Sequence, residues 1–191
     1  MRLFGGAAPA DWLIVGLGNP GARYEGTPHN VGFEVARELA RRWDLPAPKQ
    51  KFKGLFTEGR TMPGGPRVAV LLPQTFMNVA GESASPARGA TRVELDHVLV
   101  LHDEIDLPFG DIRSRLGGGL AGHNGLKSLK AQLGSPDFHR VRVGVGRPDS
   151  TDPEIVASYV LGKWRQSAGE VSDLVRAAAD AAENVITDTR T

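Results

Sequence analysis

The sequence has no cysteine, which excludes disulfides, thiolate metal sites and a cysteine nucleophile. No stretch approaches the about 18 consecutive apolar residues of a membrane-spanning helix. The opening Met1 to Ala10 has one arginine and no long apolar core, so it does not read as a signal peptide. A cytoplasmic location without membrane attachment is therefore expected. No serine lies in a Gly-x-Ser-x-Gly elbow, no His-Glu-x-x-His pair occurs and the histidines are not clustered, so neither an elbow serine hydrolase nor a metal site is expected. Repeats and low-complexity linkers are also missing. Lysine is scarce, with 6 against 17 arginines at a net charge of +1; arginine forks suit phosphate, although a solvated surface has the same composition.

What is present fits one domain with a sizeable core: 191 residues, 40% hydrophobic and 24% charged. The stretch Leu13 to Asn30 organises it. A short apolar run stops at Gly16 and Gly18, passes through Asn19-Pro20-Gly21 and reaches His29-Asn30 before a helical pattern begins, which reads as strand, functional loop, helix. The spacing Gly16, Gly18, Gly21 matches the dinucleotide fingerprint. Pro20, Gly26 and Pro28 interrupt the segment, however, and the acidic residue expected about 20 positions later at a strand end is missing, because Asp44 ends a helix. Nucleotide binding is disfavoured.

Further along, Asn30 is expected to cap a helix running to about Arg42. A strand from Lys49 through Glu58 should pair as a hairpin with Arg67 to Leu72. Pro73 to Asn78 reads as a loop entering a small-residue helix that breaks near Ser85-Pro86. The strand Val98 to Leu101 runs into His102-Asp103-Glu104, and carboxylates at the end of a buried strand suggest a site. Ile112 to Leu116 is another strand, Gly117 to Gly125 a glycine-rich connection, and Leu126 to Leu133 a helix. Val141, Val143 and Val145 alternate with Arg140 and Arg142, giving a strand with one apolar and one basic face. A segment from Thr151 to Val160 and a helix from Ser167 to Ile186 complete the chain. Alternating strands and helices predict an α/β fold: a single three-layer α/β/α domain over residues 12 to 191, with a twisted mixed, mostly parallel sheet. Residues 1 to 11 read as a loose N-terminal extension.

Two histidine–aspartate features carry the chemistry. His29 follows the rigid entry Gly26-Thr27-Pro28, and Asp103 sits at a strand end. A histidine oriented by a carboxylate takes a proton from water near neutral pH, which permits hydrolysis without a covalent intermediate. Each residue alone also has a structural reading, as a cap or a turn former.

Five motifs occur in order: Val-Gly-Leu-Gly-Asn-Pro-Gly, Thr-Pro-His-Asn-Val-Gly, Pro-Gln-Thr-Phe-Met-Asn, His-Asp-Glu-Ile-Asp-Leu-Pro-Phe-Gly and Gly-Gly-Gly-Leu-Ala-Gly-His-Asn-Gly-Leu-Lys. Together they resemble the bacterial peptidyl-tRNA hydrolase family from Leu13 to about Gly162. The resemblance implies an enzyme that cleaves the ester between peptide and tRNA, acting as a monomer without a cofactor or metal. It implies that His29 is the general base and that Asp103 orients it. Asn19 and Asn78 would hold peptide carbonyls and the attacking water, while Asn124, with His123 nearby, would form the other wall. Tyr24, Phe76 and Met77 would line the cleft. Arg113, Arg115, Lys127 and Arg142 would meet tRNA phosphates. The chain departs from the family pattern in its first eleven residues, in Ser83 to Asp96 and in a short, nearly neutral end.

Overall fold

A computed structural model describes residues 7 to 188. Met1 to Gly6, the greater part of the expected extension, lie outside the described residues. Just before the first strand, the amides of Ala10 and Asp11 donate to the carbonyls of Thr91 and Arg67 at 3.0 and 2.9 Å.

Seven strands, β1 (Trp12–Gly16), β2 (Lys49–Lys51), β3 (Gly54–Arg60), β4 (Arg67–Pro73), β5 (Val98–Glu104), β6 (Ile112–Leu116) and β7 (His139–Gly144), form one sheet in the order β2-β3-β4-β1-β5-β7-β6. The centre β4-β1-β5-β7 is parallel, and β2, β3 and β6 join through antiparallel pairs. Five strands share one direction, and β3 and β6 oppose them. On one face lie α1 (Val31–Arg42) and α5 (Ala168–Asp188), which bury Phe33, Leu39, Leu174 and Ala178 against Ile14, Leu99 and Val143. On the other lie α2 (Gly81–Thr91) and α3 (Asn124–Leu133), which bury Ala84, Ala87, Leu126 and Leu129 against Leu13, Val15 and Val100. Each fully buried leucine contributes about 1.5–3 kcal/mol of transfer free energy, so both faces anchor the strand ends firmly. The three layers and mixed sheet are those expected. A further helix, α4 (Pro153–Leu161), precedes α5 and packs on the turn Pro28–Asn30.

Three local expectations need correction. The strand expected over Lys49 to Glu58 is two strands, because Phe52 and Lys53 adopt φ of 55° and 53° and close a tight turn. Neither residue is a usual left-handed turn former. The small-residue helix does not break at Pro86 but runs through it to Thr91. Ala84 and Ala87 are buried against the sheet, and that packing outweighs the one hydrogen bond the proline removes. Asn30 stands before α1 without a side-chain cap; its amide turns instead to the backbone of Asn19.

Two glycines set the approach of α1 to the sheet. A Cβ on Gly16 would lie 2.4 Å from the Gly32 carbonyl, and one on Gly32 would lie 2.3 Å from the Leu101 carbonyl. The first glycine of the fingerprint-like run thus serves helix–strand packing, and this contact fixes where the segment before α1 emerges.

Candidate active site

Strand periodicity divides the end of β5 between the two faces. Asp103 continues the side of Leu99 and Leu101, whereas His102 and Glu104 continue that of Val98 and Val100. Neighbours in sequence therefore open onto different surroundings.

On the first side, His29 Nδ1 lies 2.9 Å from Asp103 Oδ2. His123 Nε2 lies 2.8 Å from Oδ1 of the same carboxylate. The tautomers follow from the donors around each ring. Nδ1 of His123 accepts the amides of Gly125 and Leu126 at 3.1 and 3.3 Å, so Nε2 carries the proton and donates to Asp103. The carboxylate can only accept, so His29 donates from Nδ1 and its Nε2 keeps a lone pair. That nitrogen is the one suited to take a proton.

His29 stands in the turn directly before α1 and His123 directly before α3. Two helix N-termini thus converge on one carboxylate, and their partial positive charge favours its anion. Burial by itself would raise the Asp103 pKa, but the charges of His29 and His123 and their hydrogen bonds outweigh it and hold the group well below the usual carboxylate range. For His29, burial pulls the pKa down, yet the Asp103 charge and hydrogen bond win and raise it above 6.5. His29, Asp103 and His123 also bring three potential ligand atoms within 4.8 Å of one another. Because His123 keeps its proton on the nitrogen facing Asp103, the cluster fits a proton network better than a metal cage.

Asn19 forms the rim. Its backbone amide donates to Asn30 Oδ1 at 2.8 Å, and Asn30 Nδ2 returns a bond to its carbonyl at 2.9 Å. Asn19 Oδ1 accepts the Met77 amide at 2.8 Å, leaving Nδ2 as a donor without a protein partner among the described residues. One side chain thereby fixes the loop that carries Phe76, Met77 and Asn78. Asn78 and Asn124 are exposed and Phe76 is 60% exposed, while Tyr24 is half-buried. Met77 points inward: it is buried, and a Cβ on Gly125 would meet its sulfur at 2.6 Å.

On the second side, a cleft of about 230 Å³ is lined by His102, Glu104, Arg115, Arg140 and Arg142. Arg142 pairs with Glu104 at 3.0 Å. Arg140 is buried and donates to the carbonyls of Gly118, Gly119 and Pro136, so the basic face of β7 is part scaffold. Arg113, Arg115 and Lys127 are exposed, and Arg113 stands opposite Arg142 in the register of β6 and β7.

From the sequence, His102 and Glu104 stand at the strand end and Arg140 on the basic strand face, but none is given a role in the site; the alternation along β5 and β7 is the signal that places them together. His102 donates from Nδ1 to the Asp103 carbonyl at 2.8 Å, and burial, with the nearby His123, lowers its pKa to about 3. Between that value and the unfolded 6.5, the unfolded chain binds the extra proton, so this residue makes stability fall as pH drops through the window. The slope from one such group is at most about 1.4 kcal/mol per pH unit. Urea unfolding over that range should show a shallower dependence in His102→Gln than in the parent; identical dependences would contradict the assignment.

The fold and site define the class: a three-layer α/β protein that carries a hydrogen-bonded histidine–aspartate pair at the carboxyl end of its central strands, beside a basic surface. The family follows from comparison. Residues 13–191 match the family model described as peptidyl-tRNA hydrolase. A peptidyl-tRNA hydrolase of Halalkalibacterium halodurans is 48% identical over 172 residues, 90% of this chain and 91% of the relative. One from Geobacillus thermodenitrificans is 45% identical over 176 residues, 92% of each. The crystal structure of peptidyl-tRNA hydrolase from Acinetobacter baumannii superposes with a TM-score of 0.81 at 38% identity, over 94% of this chain and 89% of that one. The chain belongs to the peptidyl-tRNA hydrolase family.

Proposed function

We propose that this protein hydrolyses the ester joining a peptide to the ribose of tRNA, with His29 as general base. The observation that carries the reading is the orientation of the His29 ring, donating from Nδ1 to buried Asp103 and leaving Nε2 free. Nε2 takes a proton from water as the oxygen attacks the ester carbonyl. The imidazolium is stabilised by Asp103, and the developing oxyanion by amide donors such as Asn19 Nδ2. Collapse of the tetrahedral species breaks the bond to the ribose oxygen, which leaves with the proton held on His29. The products are the free peptide acid and tRNA. An ester is activated relative to an amide, so one base, placed water and amide donors suffice.

Asn78 and Asn124, both exposed, are assigned to the first peptide bond of the substrate, and Phe76 and Tyr24 to the cleft wall. A free, charged α-amino group cannot mimic that peptide bond, and it leaves the asparagines unpaired. Release of amino acid from an N-blocked aminoacyl-tRNA should therefore far outpace release from the unblocked form. Equal rates would overturn the substrate assignment. The substrate is made by ribosomes, so the reading includes a cytoplasmic location, and the protein acts as a monomer. No helix among the described residues is long and apolar enough to cross a membrane.

Arg113, Arg115, Lys127 and Arg142 are assigned to tRNA phosphates. Binding should weaken steeply with salt, and Arg115→Ala should lower the slope of log affinity against log salt by about 1. An unchanged slope would remove Arg115 from the interface.

A further inference from the structure

His29 and Asp103 belong to different segments, and neither segment by itself sets the 2.9 Å between their polar atoms. The chain that closes α4 and leads to α5 grips both. Tyr159 donates its hydroxyl to the Val145 carbonyl at 2.7 Å, and the Val145 amide in turn donates to Glu104, the residue after Asp103, at 3.1 Å. Gly146, at a φ of +73°, has no Cβ to crowd that hydroxyl, which one would approach to 3.3 Å. The Arg165 guanidinium covers the Tyr159 ring, 4.8 Å from its centre.

Five residues later the same chain takes a second hold. The Trp164 amide donates to the Gly26 carbonyl at 3.4 Å, three residues before His29. The Trp164 indole meets Phe109 edge-on, with 6.0 Å between centres and 81° between planes. Phe109 lies in the connection leaving β5, so Trp164 touches the approach to His29 and the exit from Asp103 at once. α4, the helix that carries Tyr159, itself packs on the turn that bears His29.

We propose that the segment from Tyr159 to Trp164 is a brace that sets the placement of His29 against Asp103, with Tyr159 and Trp164 as positioning residues for the reaction. The proposal rests on the hydrolase reading above. Neither residue touches the reacting atoms; each acts by holding the two loops in register. Catalysis is sensitive to such placement, since about 1 Å of misplacement costs on the order of 100-fold. A residue serving the fold alone would alter stability and leave the His29–Asp103 contact as it is.

The test uses the full chain and two readouts. Tyr159→Phe removes one oxygen and preserves the ring; Trp164→Ala removes the contact with Phe109, and Trp164→Phe keeps an aromatic edge there. With N-blocked aminoacyl-tRNA, the Tyr159→Phe, Trp164→Ala double variant should lose on the order of tenfold in kcat at unchanged KM. Replacing its alanine by phenylalanine should restore most of that loss. In parallel, NMR titration of the His29 ring, whose titratable neighbours are Asp103 and His123, should show its pKa falling toward 6.5 in Tyr159→Phe as the contact loosens. A lowered melting temperature with kcat and the His29 titration both unchanged would overturn the brace. If the parent protein releases nothing from the substrate but the titration still moves, the brace stands and the hydrolase reading falls.

Discussion

His29→Ala is expected to lose about 10²- to 10⁴-fold in turnover, the usual contribution of a positioned general base. The fold should survive, because the His29 side chain is not part of either hydrophobic core. Near-UV circular dichroism would establish that the variant is folded, and single-turnover kinetics with N-blocked aminoacyl-tRNA would isolate the chemical step. Substrate binding should change little, since the arginines assigned to tRNA lie on the other side of β5. A folded variant with parental turnover would end the assignment of His29 as base.

Asp103→Asn should be at least as damaging, for a reason that follows from the donors around the two rings. His123 has its Nδ1 held by the amides of Gly125 and Leu126, so it presents an N–H to position 103 whatever stands there. An asparagine must answer with its oxygen, which turns its NH₂ group toward His29 Nδ1. That nitrogen is then forced to accept, and the ring proton moves to Nε2, the atom that must take a proton from water. The base is locked in the wrong tautomer. In serine proteases the same change to the orienting aspartate costs about 10⁴-fold with the geometry intact, and a loss of that order is expected here. Activity within tenfold of the parent would show that Asp103 does not set the His29 tautomer.

Legibility in the sequence followed the range of the interactions. The strand–loop–helix opening, the apolar start of β5 leading to Asp103 and the alternating β7 are local patterns, and each is present in the structure. His29 and Asp103 stood out because both occupy loop or strand ends beside rigid or apolar stretches. What escaped is set by contacts across the fold. Asn30 has a capping residue's identity and position, but its amide finds better partners on Asn19, 11 residues earlier. His123 read as a neighbour of the substrate wall, whereas its protonated nitrogen is on the free oxygen of a carboxylate 20 residues away.

The remaining differences come from tertiary packing that overrides local propensity. Pro86 carries a strong breaking signal, yet Ala84 and Ala87 on either side are fully buried and keep α2 continuous. The turn at Phe52-Lys53 has no glycine or asparagine at its left-handed positions, so nothing in that stretch distinguishes one long strand from two. Met77 sits in a motif beside exposed Phe76 and Asn78, but Asn19 fixes its amide and its side chain fills the space above Gly125. In each case the missing information was the partner.

The most direct measurement of the central claim is the pH dependence of kcat/KM for an N-blocked aminoacyl-tRNA. A general base must be neutral to act, and Asp103 raises the His29 pKa above 6.5, so activity should fall on acidification along a one-proton limb centred above that value. A limb centred at or below 6.5, or a rate indifferent to pH across that region, would contradict a base held and tuned by Asp103.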